Sequence, residues 1–216
     1  MLARKLAKIA IDIGAVSFNT EDPYTWASGY RMPLYNDNRK LLSRADIRKL
    51  VCDSFIQVIK ENNIEANLIA GTATAGIPHA TTLADNLELP LIYVRSKPKG
   101  HGLKNLIEGA VPENSKALVV EDVVSTGGSS VKAVNAVRES GAEVLACLTI
   151  FNYGFPAAVE LFQESHCQIF SLFTFETLLE VAIEEGTLSE EQSTELQAWR
   201  ADPFSWGVSR GFPKEN

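Results

Sequence analysis

The sequence predicts an α/β fold with a central, mainly parallel sheet flanked by helices. From residue 68 onwards, short apolar runs of strand length alternate with longer segments of helical character. The run at 117–120 is rich in β-branched residues, which is typical of a strand buried on both faces. With 216 residues and 45% hydrophobic composition, the chain can bury a core without disulfides. One domain with additions is the simplest interpretation.

Charge and cysteine content argue against several classes of protein. The net charge of −7 and a pI near 5.1 disfavour a nucleic-acid binder, whose contact surface would be basic. Cys52, Cys147 and Cys167 are widely spaced and show no zinc-binding pattern, so they are predicted to be reduced core residues of a cytoplasmic protein. No apolar run is long enough to span a membrane, so no membrane association is expected.

For the residues before 68, the sequence predicts helices and short extended segments. Leu2, Leu6, Ile9 and Ile13 recur at helical spacing, which favours an amphipathic first helix over a transit peptide. A short strand that enters a turn is expected at 22–29, and extended structure is expected again at 32–35, where Pro33 suits an edge strand. A second helix is predicted from a cap at residue 43 to about residue 62.

The alternating part predicts five strands, at 68–70, 91–94, 117–122, 144–151 and 168–172. The helices between them are expected after residue 76, with Pro78 in the first turn, and at 131–138 and 157–163. Two further helices are predicted at 174–184 and 189–200.

The stretch at 117–130 carries the strongest functional signal. Glu121 and Asp122 close its strand, and a loop of hydroxyls and glycines leads into a helix. Backbone N–H groups at such a turn bind anions, whereas carboxylates suit sugar hydroxyls or a divalent cation. The spacing fits neither a P-loop nor a dinucleotide-binding loop. A phosphorylated sugar is the predicted ligand, and an ordinary strand-to-helix turn is the alternative.

The segment from Arg95 to Gly109, called the flap below, is too long and too cationic for a plain connector. Its first seven residues include Arg95, Lys97, Lys99 and His101. Such a segment could close over a polyanion and exclude water. The alternative is a solvated charged loop.

These segments resemble those of a known family. Residues 117–130 look like the 5-phosphoribosyl 1-diphosphate (PRPP) motif of type I phosphoribosyltransferases. The flap is similar to the catalytic loop of orotate phosphoribosyltransferases. Residues 25–29 resemble the hood of that family, residues 71–78 resemble its pyrophosphate loop, and residues 151–154 resemble the strand end that lies near the substrate base. The likeness follows the family's order over nearly the whole chain.

The resemblance implies the type I phosphoribosyltransferase fold, with a hood and N-terminal helix at 1–42, an α/β core at 43–173 and C-terminal helices at 174–216. It implies transfer of phosphoribose from PRPP to orotate with Mg²⁺, in a homodimer whose flaps each serve the neighbouring site. The metal would be held mainly by PRPP, with Asp122 as the one candidate protein ligand.

The resemblance also implies roles for individual residues. Arg95, Lys99 and His101 would contact the pyrophosphate from the partner chain and form the catalytic set. Orotate would lie near Ser125 and the backbone at Leu34 and Tyr35. Ribose and 5-phosphate would be held by Glu121, Asp122, Val123, Val124, Ser125, Thr126, Gly127, Gly128 and Ser129.

The chain departs from the family at several cations. Ala27, Ala75 and Asn152 stand where many bacterial members carry basic residues, which leaves the carboxylate of orotate without an obvious partner. Amides near Leu34, or Arg31 or Arg39, are the possible substitutes. Two alternative functions stay open: a phosphoribosyltransferase for another base, and a non-catalytic regulator that senses PRPP.

Overall fold

The computed structural model describes residues 2–97 and 106–215. Its N-terminal part consists of two helices separated by short strands. The elements are α1 (Leu2–Asp12), β1 (Val16–Phe18), β2 (Tyr24–Thr25), β3 (Arg31–Met32), β4 (Leu34–Asn36), a 3-10 helix (Asn38–Ser43) and α2 (Ala45–Glu61). β1 pairs antiparallel with β4, and β2 pairs antiparallel with β3. Pro33 separates β3 from β4 and thus lies between the two small sheets.

The remaining elements alternate between strand and helix. They are β5 (Leu68–Thr72), α3 (Gly76–Leu87), β6 (Leu91–Val94), β7 (Ile107–Glu108), β8 (Lys116–Val124), α4 (Gly128–Glu139), β9 (Glu143–Asn152), α5 (Pro156–Glu164), β10 (Ile169–Thr174), α6 (Phe175–Glu184), α7 (Glu190–Ala201) and α8 (Pro203–Ser209). The central sheet has the order β10-β9-β8-β5-β6-β7, and only β7 is antiparallel to its neighbour. The predicted mainly parallel α/β fold is confirmed.

The core lies on both faces of this sheet. Along β8, Leu118 and Val120 pack on the side of α1, α2, α3 and α6, whereas Ala117 and Val119 pack on the side of α4 and α5. This alternation follows from the two-residue repeat of a strand. Because both faces are covered, the strand needs apolar residues throughout, as its sequence shows. The three cysteines are buried and unpaired, as predicted.

The structure differs from the prediction at several element ends. The predicted cap at Ser43 is wrong: Arg44 precedes α2 without a side-chain cap bond, and Ser43 Oγ donates to Lys40 O at 2.8 Å inside the 3-10 helix. α4 begins at Gly128, earlier than predicted, so the loop after β8 contains only residues 125–127. By contrast, Thr174 and Ser189 do cap the two predicted C-terminal helices.

Some elements have no counterpart in the prediction, namely β1, β7, the 3-10 helix and α8. Each is seven residues or shorter, which is too short for a helical or strand repeat of apolar residues to be recognised in the sequence. The proposed division at residues 42 and 173 stays a prediction. Across residues 2–97 and 106–215, none of the helices has the length and apolarity required to cross a bilayer.

Candidate active site

Within the described residues, the predicted sugar- and phosphate-binding residues lie at one edge of the sheet, where parallel strands end together. Gly71 of β5 pairs with Val120 of β8, and Val124 at the end of β8 pairs with Asn152 at the end of β9. The carboxyl ends of β5, β8 and β9 therefore open onto the same surface. In open α/β sheets, ligands bind in the crevice beyond these carboxyl ends.

The predicted phosphate-binding segment, residues 125–129, is called the cradle. Ser125, Thr126 and Gly127 form the turn, and α4 starts with Gly128 and Ser129. Gly127 has φ +82°, and a Cβ there would stand 3.3 Å from Ala158 Cα, so both backbone angle and space require glycine. No side chain caps the start of α4. The first-turn N–H groups of α4 thus remain directed at an anion placed before the helix.

Glu121 points into the protein. It is 7% exposed, and its carboxylate accepts Thr72 Oγ1 at 2.7 Å, the Asp122 N–H at 3.1 Å and Ser130 Oγ at 3.3 Å. Burial raises the pKa of this carboxyl to about 8; the Thr72 hydrogen bond opposes the rise, and the charge of Asp122 adds to it. Glu121 therefore ties β5 and α4 to the end of β8.

Asp122 lies on the opposite side of β8 and is partly exposed. Burial raises the pKa of its carboxyl, while the positive charge of Arg39 acts to lower it. Its backbone carbonyl accepts Asn38 Nδ2 at 2.6 Å, which joins the 3-10 helix to the strand end. Of the two predicted acids, Asp122 is the one whose side chain is accessible to a sugar.

The predicted pyrophosphate loop lies at the carboxyl end of β5, next to β8. It contains a cis peptide between Ala73 and Thr74, and the Ala73 N–H donates to Val94 O at 2.8 Å. Gly76 starts α3 so close to β8 that a Cβ would lie 2.5 Å from Val120 O. This loop is thereby packed directly against the strand that carries the two acids.

The structure describes only the two ends of the flap. Arg95 follows β6, its N–H donates to Leu106 O at 2.8 Å, and its guanidinium lies 3.4 Å from Glu108 Oε1. Lys132 Nζ of α4 donates to Ser96 O at 3.3 Å. Lys99 and His101 lie outside the described residues. The contacts with pyrophosphate that are predicted for Arg95, Lys99 and His101 stay predictions.

The hood lies over the same edge through a group of aromatic side chains. Trp26 Nε1 donates to Leu34 O at 3.0 Å, and the Trp26 ring packs edge-on against Tyr153 beyond β9. Leu34 is buried, whereas Tyr35 is 38% exposed. At the end of β9, Asn152 Oδ1 accepts the Gly154 N–H at 2.9 Å, so its side chain stabilises the turn.

Comparison with known proteins identifies the family. The model of the phosphoribosyl transferase domain matches residues 40–175, well over half of the chain. An orotate phosphoribosyltransferase from Bacillus subtilis (strain 168) is 47% identical over 205 residues, which cover 95% of each chain.

This chain belongs to the orotate phosphoribosyltransferase family. The crystal structure of an orotate phosphoribosyltransferase from Aeropyrum pernix covers 85% of this chain and 99% of its own, with a TM-score of 0.72 and 32% identity. The same fold occurs in a Mycobacterium tuberculosis orotate phosphoribosyltransferase solved with 5-phospho-α-D-ribosyl 1-diphosphate (22% identity, TM-score 0.64, 82% of this chain and 99% of that one). These findings confirm the predicted family and fold class.

Three polar residues of this orotate phosphoribosyltransferase-family site were given no role in the sequence prediction. Thr72 and Ser130 hold Glu121, and Asn38 holds the backbone of Asp122. Thr72 lies inside the loop that the resemblance had marked, so its hydroxyl was a visible signal. Asn38 is separated from Asp122 by 84 residues, and no local pattern could have joined them.

Phosphoribosyltransferases generally use Mg²⁺ together with PRPP, and the donor atoms at this site fit such an ion. Within the described ranges, no three His, Cys, Asp or Glu side chains are grouped as a metal site. Asp122 offers one accessible carboxylate at the sugar-binding edge. Because Mg²⁺ commonly keeps several waters and takes one or two carboxylates plus substrate phosphates, this donor set fits a metal brought in with PRPP.

Glu121 makes the stability of the fold depend on pH. Its folded-state pKa of about 8 lies above the ordinary value of 4.5, so the folded state binds the proton more tightly. This contribution is complete below pH 4.5 and is lost as the pH rises through about 8. Urea unfolding of Glu121→Gln is therefore expected to show a flatter decline in stability between pH 5 and pH 8.5 than the unchanged protein.

The matched control is Glu160→Gln, which changes an exposed glutamate on α5. It should keep the full decline. An equal slope in the Glu121→Gln variant and the unchanged protein would show that burial does not hold the proton on Glu121.

Proposed function

We propose that this protein transfers the 5-phosphoribosyl group of PRPP to orotate, giving orotidine 5′-monophosphate and pyrophosphate in de novo pyrimidine biosynthesis. The observation that carries the proposal is the convergence of the cradle, Asp122, the pyrophosphate loop and the hood on one sheet edge. Membership of the family indicates the reaction, and this convergence supports the positions proposed below for the two substrates.

The phosphoribosyl group would lie across the end of β8. The cradle amides would bind the 5-phosphate, because N–H groups at a helix start favour an anion. Asp122 would accept hydrogen bonds from the ribose hydroxyls, with the backbone of Val123 and Val124 below the sugar. Glu121 would support this arrangement from behind through Thr72 and Ser130.

Catalysis would consist of orientation and charge stabilisation, without a protein nucleophile. The bond from the anomeric carbon to pyrophosphate breaks as the base nitrogen approaches, so positive charge develops on the ribose and negative charge on the leaving group. Arg95, Lys99 and His101 would stabilise the departing pyrophosphate, and His101 could donate a proton to it. Mg²⁺, when bound with PRPP, supplies further positive charge to the diphosphate.

Orotate would occupy the space between the cradle and the hood. Ser125 would lie next to orotate on the cradle side. The backbone at Leu34 and Tyr35 would lie next to it on the hood side. Trp26 keeps this part of the hood in place through its bond to Leu34 O at 3.0 Å. The site would operate in the cytoplasm, in agreement with three buried, unpaired cysteines.

The direct test is consumption of orotate by the purified protein with PRPP and Mg²⁺, beside uracil, hypoxanthine and adenine. Rapid loss of orotate alone supports the proposal. Turnover of another base would identify a different phosphoribosyltransferase. Binding of PRPP without any product would identify a sensor.

The shared-site arrangement predicts rescue between two inactive variants. Lys99→Ala damages the flap and Asp122→Ala damages the sugar site, so each homodimer should have low turnover. In a mixed dimer, one site would combine an intact flap with an intact sugar site. After subunit exchange of equal amounts, we expect activity to recover to roughly a quarter of that of the unchanged protein.

A mixture of Lys99→Ala with His101→Ala is the control for this experiment. Both changes lie in the flap, so every site in the mixed dimer would receive a damaged flap and activity should stay low. If the Lys99→Ala and Asp122→Ala mixture also stays low while exchange is verified with differently tagged subunits, the flap serves its own subunit.

A further inference from the structure

The proposed base carries a negative charge that the site must accommodate. Orotate has a ring carboxylate, and an unpaired carboxylate in a partly dry pocket is costly. Ala27 and Ala75 offer no charge, and Asn152 is a neutral amide whose carbonyl oxygen accepts the Gly154 N–H at 2.9 Å. A positive charge elsewhere in the hood would meet this need. Residues 13–42 contain three cations, Arg31, Arg39 and Lys40, and Lys40 Nζ donates to Gly14 O at 2.7 Å.

Arg31 is already occupied. Its Nε donates to Pro23 O at 2.7 Å, while its two terminal nitrogens pair with Asp22 at 2.6 Å and Glu215 at 3.2 Å. The side chain is 20% exposed, and its guanidinium carbon lies 5.6 Å from the Phe212 ring centre. Arg31 thus stabilises the contact between the hood and the C-terminal tail, and no edge of its guanidinium group is left for a ligand.

Arg39 is held in a different way. Only its Nε is engaged, by Asp37 Oδ1 at 2.5 Å, and its side chain is 65% exposed. Within the described residues, the edge formed by Nη1 and Nη2 has no hydrogen-bond partner. That edge can bind a carboxylate through two parallel hydrogen bonds. Asp37 therefore orients the guanidinium group without occupying the edge that a ligand would need.

The position of Arg39 is fixed relative to the sugar site. The preceding residue, Asn38, is 1% exposed and donates to the backbone oxygen of Asp122 at 2.6 Å. The charge of Arg39 reaches both the Asp122 carboxylate and Tyr35. The guanidinium group is therefore near both the ribose-binding acid and the exposed hood residue, and a base joined to that ribose and covered by the hood would lie near it.

We propose that Arg39 binds the carboxylate of orotate through Nη1 and Nη2 and makes the site select carboxylated pyrimidines over uncarboxylated ones. The inference rests on the proposed function and deepens it, since it assigns the specificity of the same site. Asp37 acts as a positioning residue for Arg39. Arg39, in the 3-10 helix, would thus provide the positive charge that is missing at Ala27, Ala75 and Asn152.

The test compares ligands that differ only by the carboxylate. In the Arg39→Gln variant, affinity for orotidine 5′-monophosphate, measured by calorimetry, should fall about 10–100-fold. Affinity for uridine 5′-monophosphate and KM for PRPP should stay within about twofold, because neither ligand presents that carboxylate. Arg39→Lys should recover part of the loss, since it keeps the charge but not the paired geometry.

Arg44→Gln is the matched control. Arg44 is also exposed and also pairs with an aspartate two residues away, Asp46 at 2.7 Å, but it precedes α2 and makes no contact with the sugar site. This variant should keep the affinities of the unchanged protein.

Two results would overturn the inference. If the ratio of the affinities for orotidine 5′-monophosphate and uridine 5′-monophosphate is unchanged in Arg39→Gln, Arg39 does not bind the carboxylate. Equal losses for both nucleotides and PRPP would show that Arg39 only maintains the site. If the unchanged protein instead turns over another base and not orotate, the proposed function fails, and the Arg39 inference fails with it.

Discussion

Replacing Trp199 by alanine is expected to lower the free energy of unfolding by about 3–5 kcal/mol, the usual cost of removing a fully buried aromatic side chain. Trp199 on α7 has no exposed surface, and its indole N–H points at Met32 Sδ at 3.1 Å. Its ring packs against Phe155 at 5.3 Å, Tyr153 at 5.9 Å and Trp26 at 6.2 Å between centres. The loss would combine buried area with a cavity that these rings cannot fill.

The same substitution should weaken orotate binding, although α7 is not part of the proposed orotate site. Trp26 packs on Trp199 and also holds Leu34 O, so a cavity beside Trp26 would loosen the hood. Urea unfolding and KM for orotate are the measurements. Phe204→Ala is the control, because this aromatic residue on α8 is 37% exposed and should cost much less. Equal losses of stability in the two variants would contradict the central role of Trp199.

The long, regular elements of this fold could be read from the sequence. β8 needs apolar residues on both faces, and that requirement is visible in its composition. α7 carries its own start signal in Ser189 and Gln192, which form a reciprocal cap. Where a physical constraint acts within a few residues of chain, the prediction was confirmed.

The errors have two different causes. Ser43 has the chemistry of a helix cap, but the preceding residues form a 3-10 helix and its hydroxyl donates to Lys40 O, so a competing local hydrogen bond decided this case. β7 exists because Ile107 pairs with Val94 across the flap, a contact that no periodicity reveals. Pairing between segments that are separated along the chain decided the second case.

The candidate site shows the same division. The PRPP motif revealed Glu121 and Asp122 as a pair, because both carboxylates follow one apolar run. It could not reveal which of the two is buried: Glu121 is held by Thr72 and Ser130, whereas Asp122 is accessible. Strand alternation separates the two side chains. Only the neighbouring elements decide which side is buried and which is open to a ligand.

Gly76→Val is expected to abolish most transferase activity and to destabilise the fold. A Cβ at residue 76 would stand 2.4 Å from Thr72 Oγ1 and 2.5 Å from Val120 O, and the second of these atoms is backbone within the central sheet. Overpacking of this kind costs about 1–3 kcal/mol. Relief would require α3 to move away from β8, which would break the Thr72 bond to Glu121 and displace the pyrophosphate loop.

Urea unfolding would measure the loss of stability. PRPP binding, together with turnover, would measure the damage to the site. For stability, the control is Gly128→Ala in the first turn of α4, where an added Cβ meets nothing within 4 Å. That variant should unfold at the same urea concentration as the unchanged protein or a slightly higher one, since alanine favours the helix. A Gly76→Val protein of unchanged stability with full PRPP affinity would show that α3 can shift freely. The close packing of the pyrophosphate loop against β8 would then be irrelevant to the sugar site.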